Sequence, residues 1–142
     1  MGRGADNRLA LIILLDQLTR NVLRGTKEAY AGDARAQALV ADALAKAMDQ
    51  QLPWAGRAFM YMPLMHTEYL AQQDECVRRF TQLHADVPEA LKPSIEGHLK
   101  SAHAHRDIIA RFGRFPYRNA VLGRTSTLLE QDFLAHGPRF GQ

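Results

Sequence analysis

The helical period of this chain is clearest in residues 33–50, which read DARAQALVADALAKAMDQ. Apolar residues recur there at positions i, i+3, i+4 and i+7, and charged or amide side chains occupy other positions of the helical wheel. The carboxylate of Asp33 can accept hydrogen bonds from the free amides of a first helical turn. The stretch therefore predicts an amphipathic helix with Asp33 as its N-cap.

The same period continues on both sides of this stretch, and helix start and stop signals divide it. Pro63 interrupts the helical segment that follows Pro53, so residues 63–67 are predicted to form a kink or a short connection. A long helix is predicted to end at Phe112, because Gly113 stands where a left-handed C-terminal cap is favoured.

A capping-box pair marks the start of the last helix. Thr127 is the N-cap and Glu130 the N3 residue of a helix predicted over residues 128–135. The preceding residues 114–124 are predicted to be irregular but ordered. No part of the sequence alternates between apolar and polar residues as a half-buried strand does. We therefore predict an all-α fold of five to six helices, arranged as a bundle or a stack of helix hairpins.

Length and composition predict one globular domain over residues 1–142. Of the 142 residues, 46% are hydrophobic and 23% are charged, which is typical of a chain that buries its own core. Cys76 is the only cysteine, which excludes an intramolecular disulfide and favours a reducing compartment. The longest apolar run, residues 9–15, falls far short of the ~20 residues that span a bilayer. We expect a cytoplasmic domain without a membrane segment.

A first polar cluster follows that apolar run at helical spacing and consists of Asp16, Gln17, Arg20, Asn21 and Arg24. Asp16 and Arg20 form an i, i+4 pair, and the other three side chains lie along one stripe. One interpretation is a solvated helix end with a surface salt bridge. The other is a polar wall beside the core, because amide and guanidinium groups together suit recognition of a carboxylate or phosphate.

A second cluster follows Pro63 and contains His66 and Glu68. These two side chains have the chemistry of an acid–base pair if both reach one substrate. They fit a capping and packing role equally well. Their i, i+2 spacing does not bring two metal ligands together on a helix.

The third cluster occupies the end of the long helix and the residues after it. His105 shares an apolar face with Ile108, Ile109 and Phe112, so its imidazole needs a partner or stays neutral. Arginines near a helix C-terminus offset its negative dipole end, but this segment has more of them than a cap needs. Its further candidate binding residues are Arg111, Arg114, Arg118 and Asn119.

Other function classes are disfavoured by the sequence. The histidines lack metal-ligand spacing and no glycine-rich phosphate loop is present, so we predict neither a metal nor an organic cofactor. The formal net charge of +3 is low for a protein that binds a nucleic-acid backbone. Nucleic acid is therefore not an expected partner.

Four stretches together resemble a known bacterial family. They are residues 9–17 (LALIILLDQ), 20–26 (RNVLRGT), 61–68 (YMPLMHTE) and 105–119 (HRDIIARFGRFPYRN). In this order they resemble the family called domain of unknown function 924, over residues 9 to about 133. The resemblance implies an all-helical, tetratricopeptide-like fold of helix hairpins, and the family brings no established reaction. Its motif positions include all three clusters described above.

The chain departs from this family pattern at its start. Members of the family usually carry several tens of additional residues, rich in tryptophan and phenylalanine, before the motif at residues 9–17. Here a polar lead of eight residues precedes that motif. We expect a short form that lacks the family's N-terminal helices and exposes an apolar face. A homodimer through that open face is the expected assembly.

Two functions follow as alternatives, with a purely structural role as a third. In the first, a polar pocket binds an anionic small molecule or an acidic peptide end, lined by Arg20, Arg24, Arg111, Arg114 and Arg118 and closed by His66. In the second, the same pocket is that of a small-molecule hydrolase or transferase. There His66 or His105 acts as general base, Glu68 or Asp16 orients it, and the arginines stabilise negative charge.

Overall fold

A computed structural model describes residues 2–138, with side chains from residue 4 onward. The first helix, α1 (Gly2–Ile13), continues through a π-helical turn (Leu14–Leu18) into α2 (Thr19–Val22). The following helices are α3 (Asp33–Ala45), α4 (Trp54–Met65), α5 (Leu70–Asp86), α6 (Lys92–Phe112), α7 (Asn119–Leu122) and α8 (Leu128–His136). Short 3-10 turns connect several of them at Lys27–Tyr30, Met48–Gln51, Glu89–Leu91 and Pro116–Arg118. Residues 2–138 contain no β-strand, so the predicted all-α class is confirmed.

The helices are packed in chain order around one main core. α5 and α6 lie along each other as a hairpin, α4 packs beside them, and α1 lies against α3 and α4. Fully buried side chains in this core include Ile12, Val40, Met60 and Phe80. A second, smaller core joins the end of α6 to α8 and is built by Ile108, Ile109, Phe115 and Phe133. No helix within the described residues has the length and apolar character needed to cross a membrane.

The helix count differs slightly from the prediction. When α1, the π-helical turn and α2 are taken as one continuous helix, the described residues contain seven helices rather than five or six. The additional helix is α7, a single turn within the segment predicted to be irregular. It ends at Gly123, whose φ of 68° is readily adopted by glycine.

The helix predicted over residues 33–50 begins at Asp33 but is shorter at its C-terminal end. Gly32, not Asp33, is the N-cap of α3, because the carboxylate of Asp33 binds Arg20 instead of the first-turn amides. The helix stops at Ala45, and a 3-10 turn then places Asp49 in the core. There a carboxylate oxygen of Asp49 accepts a hydrogen bond from the Tyr61 hydroxyl at 2.6 Å.

α4 continues through Pro63 to Met65, so the connection predicted within residues 63–67 begins only at His66. A proline so close to the C-terminal end removes only one backbone hydrogen bond of the helix. The fully buried amide of Gln73 donates to the carbonyl oxygens of Met65 at 2.7 Å and Thr67 at 2.8 Å. These bonds satisfy carbonyls at the end of α4 and tie it to α5.

The outer face of the first helices carries exposed apolar side chains. Leu14 is 49% exposed, Leu18 is 50% exposed and Val22 is 70% exposed. The sequence anticipates an open apolar face at this position. The homodimer expected through it stays a prediction.

The other two predicted helix caps, Gly113 and Thr127, are confirmed. Gly113 has φ 72° and ends α6. At the start of α8, the Thr127 hydroxyl accepts the Glu130 amide at 3.1 Å, and the Glu130 carboxylate accepts the Thr127 amide at 2.9 Å. These reciprocal bonds satisfy two amides that a helix start would otherwise leave unpaired.

Substituting Thr127→Ala removes one of these two bonds and is expected to lower the free energy of unfolding by about 1 kcal/mol. Urea denaturation followed by circular dichroism measures this change. Thr125→Ala is the matched control, because the side chain of Thr125 is exposed and its contact with Arg114 is made by the backbone carbonyl. Equal losses in the two variants would contradict a stabilising cap at Thr127.

Candidate functional site

A short contact between Asp16 and His66 lies at the centre of the polar residues. Asp16 is 1% exposed, and its Oδ1 lies 2.7 Å from Nδ1 of His66, the residue that ends α4. Asp16 belongs to the π-helical turn, a distortion found frequently at functional sites. The carboxylate favours a proton on Nδ1, which leaves Nε2 as the acceptor nitrogen of a neutral ring.

Arg20 links this pair to the start of α3. Its Nη1 donates to Asp16 Oδ1 at 3.2 Å and to Asp33 Oδ1 at 3.2 Å, and its Nη2 donates to Asp33 Oδ2 at 2.9 Å. All three side chains are buried. One guanidinium therefore bridges two carboxylates that would otherwise be buried without a counter-charge.

Arg118 adds a second buried guanidinium. Its Nη2 donates to the backbone carbonyl of His66 at 3.0 Å, and its Nη1 lies 3.9 Å from Asp33 Oδ2. The guanidinium carbon lies 4.5 Å from the ring centre of Tyr30 and 4.6 Å from that of Phe115. We call Asp16, Arg20, Asp33, His66 and Arg118 the charge layer.

Burial and the neighbouring groups together determine the protonation states of Asp16 and His66 in the charge layer. Burial lowers the pKa of His66 below the ordinary value of 6.5, although the Asp16 carboxylate acts in the opposite direction. Burial alone would raise the pKa of Asp16, but the interactions with His66, Arg20 and Gln17 lower it below 3.8. At neutral pH the pair is therefore an ionised carboxylate that accepts the Nδ1 proton of an uncharged imidazole.

Two cavities border the charge layer. One has a volume of about 360 Å³, and we call it the α1–α6 cleft; it is lined by Gln17, Arg20, Asn21, Arg24, Met62, Met65, His66, His98, Ser101 and His105. The other has a volume of about 470 Å³, and we call it the Arg118 cavity; it is lined by Tyr30, Asp33, Ala34, Gln37, His66, Glu68, Tyr69, Gly113, Arg114, Arg118, Leu122 and Arg124. His66 is the one residue common to both sets.

His105 lies in the cleft beside His66, with 6.3 Å between their ring centres. Burial lowers the pKa of His105 to about 4, and its Nδ1 lies 2.7 Å from the carbonyl oxygen of Ser101. His98 and Ser101 line the same cleft but are absent from the sequence-based candidates. Their i, i+3, i+7 spacing with His105 along α6 is the signal that places all three on one face.

Glu68 is bound away from the His66 ring. Its carboxylate accepts two hydrogen bonds from Arg124, at 2.8 and 3.1 Å, and one from the Phe115 amide at 2.6 Å. These contacts outweigh burial and lower the pKa of Glu68. Of the two carboxylates considered as orienting groups, Asp16 rather than Glu68 contacts the His66 imidazole. Arg124 is a site residue that the sequence analysis did not identify.

The remaining predicted residues separate into structural contacts and surface positions. Arg114 makes a two-point salt bridge with Glu130, at 2.8 and 2.7 Å, which lowers the pKa of Glu130 to about 2. Asn119 accepts a hydrogen bond from Arg124 at 3.0 Å. Arg111 is exposed and lines neither cavity at the charge layer.

Neither a metal centre nor a reactive thiol is evident among the described residues. Residues 2–138 contain no group of three or more His, Cys, Asp or Glu side chains placed to bind a metal ion. Cys76 is buried, and burial raises the pKa of its thiol to about 12. A thiol with that pKa stays protonated and is a poor nucleophile.

The fold and site together define an all-helical protein with a buried Asp–His–Arg layer between two polar cavities. Over residues 2–138 the sequence matches a family described as bacterial protein of unknown function (DUF924), and the chain belongs to that family. A solved structure of a protein of unknown function from Agrobacterium tumefaciens is 37% identical, with a TM-score of 0.79. The match covers 96% of this chain and 71% of that protein. No curated protein matches the sequence.

Substituting Arg20→Met should destabilise the fold strongly, because Asp16 and Asp33 then lose their shared counter-charge. Removing one partner of such a buried network typically costs about 3–5 kcal/mol. Arg24→Met is the matched control, at the turn that follows α2. Arg24 is exposed, and a surface change of this kind stays within about 0.5 kcal/mol. Urea denaturation of both variants checks the difference, and a small loss for Arg20→Met would refute a structural role for the bridge.

Proposed function

We propose that the α1–α6 cleft binds a small molecule that carries a phosphate or carboxylate group. The observation that carries this proposal is the lining of the cleft. Its ionisable residues are Arg20, Arg24, His66, His98 and His105, and no carboxylate lines it among residues 2–138. A cavity whose ionisable groups are all basic favours an anion over a cation.

Arg24 is the cation available to a ligand in this cleft. Its Nη2 donates to the Asn21 side chain at 3.1 Å, and within the described residues it forms no salt bridge. Arg20, in contrast, already binds two carboxylates. The amides of Gln17 and Asn21 lie on the same stripe as Arg24 and supply neutral donors. Together these groups are suited to a phosphate or carboxylate at the rim of the cleft.

The lining of the cleft also includes apolar side chains. Met62 and Met65 line it, and methionine adapts its shape to irregular ligands. The volume of about 360 Å³ lies within the range of about 300–1,000 Å³ usual for small-molecule sites. A small metabolite with one anionic group and an apolar part therefore fits better than a long acidic peptide.

Isothermal titration calorimetry with a panel of phosphorylated and carboxylated metabolites tests this proposal. For a compound that binds, Arg24→Ala is expected to weaken the dissociation constant about tenfold, the effect of losing one charged hydrogen bond of about 1.5 kcal/mol. Arg111→Ala is the matched control, because Arg111 is also an exposed arginine but lies outside the cleft. Equal effects of the two substitutions, or no binding by any compound, would count against an anion site at this position.

Acid–base catalysis in the same cleft is a second candidate function. The specific observation in its favour is the 2.7 Å contact between Asp16 and His66 Nδ1. It fixes the tautomer in which Nε2 can accept a proton, and His66 lines the cleft. A buried titratable pair with shifted pKa values beside a cavity is a common property of catalytic sites.

A hydrolysis screen with p-nitrophenyl acetate and p-nitrophenyl phosphate separates catalysis from binding alone. If His66 is a general base, His66→Gln is expected to lower kcat/KM by about a hundredfold or more. The wild-type rate should be constant at neutral pH and fall only at a pH below 6.5, because the pKa of His66 lies below that value and protonation of Nε2 removes the base. Turnover that is unchanged in His66→Gln, or absent while ligand binding persists, excludes this mechanism.

A further inference from the structure

The Arg118 cavity contains a buried arginine with few partners. Arg118 is 6% exposed and its guanidinium lies between two aromatic rings. Within the described residues, one hydrogen bond joins its Nη2 to His66 O, the contact with Asp33 is loose at 3.9 Å, and Nε has no partner. A guanidinium offers five N–H donors, and buried donors are normally satisfied. This shortage of acceptors at a cavity wall points to a ligand that supplies them.

Two helix N-termini border the same cavity. Asp33 and Ala34 form the start of α3, and Tyr69 is the N-cap of α5. Neither helix has a side-chain cap, and the Asp33 carboxylate is turned toward Arg20. The amides and the dipole of a helix N-terminus attract anions. Their positions beside Arg118 add a second source of positive potential.

The charge of Arg118 is also incompletely balanced. Burial, together with the nearby charge of Arg20, lowers the pKa of Arg118 below its ordinary value. The two carboxylates that line the cavity have other principal partners. Asp33 is bound at both oxygens by Arg20, and Glu68 is bound at both oxygens by Arg124.

The same two carboxylates limit the charge that a ligand can carry. Asp33 and Glu68 repel a doubly charged phosphate more strongly than a singly charged carboxylate. The rim also presents Tyr69, which is 69% exposed, and Leu122, which is 39% exposed. These side chains favour an aromatic or apolar body next to the anionic group.

We propose that the Arg118 cavity binds a small aromatic carboxylic acid in its ionised form, with the carboxylate at Arg118 and at the N-termini of α3 and α5. A planar carboxylate can accept two hydrogen bonds from one guanidinium. This site is independent of the proposed function, because His66 is the one residue that the cavity and the α1–α6 cleft share.

Nuclear magnetic resonance of the arginine side chains tests the proposal directly. The Nε–H signals of Arg118 and Arg24 are assigned by their disappearance in Arg118→Lys and Arg24→Lys, and the protein is titrated with benzoate. We expect a saturable shift of the Arg118 signal, no shift of the Arg24 signal, and weaker binding of phenyl phosphate. A shift of the Arg24 signal alone would place the anion in the cleft and overturn this inference while supporting the proposed function.

A charge substitution provides the quantitative control. Gln37 lines the cavity and is half-buried, so Gln37→Glu adds a negative charge there without removing a core contact. The variant should weaken benzoate binding about fivefold, as expected for one added charge near the protein surface. Gln51→Glu, at an exposed position outside both cavities, should leave binding unchanged. Equal affinities in the two variants, phenyl phosphate binding as tight as that of benzoate, or no shift at Arg118 would overturn the site.

Discussion

The bridge from Arg20 to Asp16 and Asp33 is the contact on which the rest of the polar centre depends. Two carboxylates buried in a helical protein are tolerated only with a matched counter-charge and satisfied hydrogen bonds. The guanidinium of Arg20 supplies the counter-charge and donates to both carboxylates, and it fixes the π-helical turn and α2 against the start of α3. Asp16 is thereby held where the same oxygen, Oδ1, also contacts Nδ1 of His66 and orients the imidazole ring. The position of the imidazole between the two cavities follows from this chain of bonds.

The arginines of the chain fall into two groups according to what they contact. Their number alone is therefore not evidence for a binding site. Arg20, Arg114 and Arg124 each bind a carboxylate at short distance and hold segments together. Among the described residues, Arg24 has only a neutral partner, and Arg118 is buried with a single hydrogen bond. An excess of arginine in the sequence is therefore partly a structural feature. The residues that carry a binding argument are the two whose charge the fold leaves incompletely matched.

Local signals in the sequence predict the secondary structure well, because they act within one helical turn. The Thr127 capping box and the Gly113 cap are examples, and both lie where expected. Asp33 is a case in which a local signal does not predict the contact that the side chain makes. Its predicted role as an N-cap depends on the amides of the next residues. Its carboxylate instead accepts a hydrogen bond from Arg20, thirteen residues earlier in the chain. Pairings of this kind are set by tertiary packing, as is the choice of Asp16 over Glu68 as the partner of the His66 ring.

Stability alone does not account for the charge layer. A chain of this size can fill its centre with apolar side chains, and replacing a buried ion pair by well-packed apolar residues is often neutral or stabilising. Here five polar side chains are buried together instead, and two of them, Arg20 and Arg118, have an Nε without a partner among the described residues. They adjoin two cavities rather than a sealed core. Departures from local packing rules in folded proteins concentrate at functional sites. The free-energy cost of burying the charge layer, and its position beside two cavities, therefore favour a role in recognition or chemistry over a purely structural one.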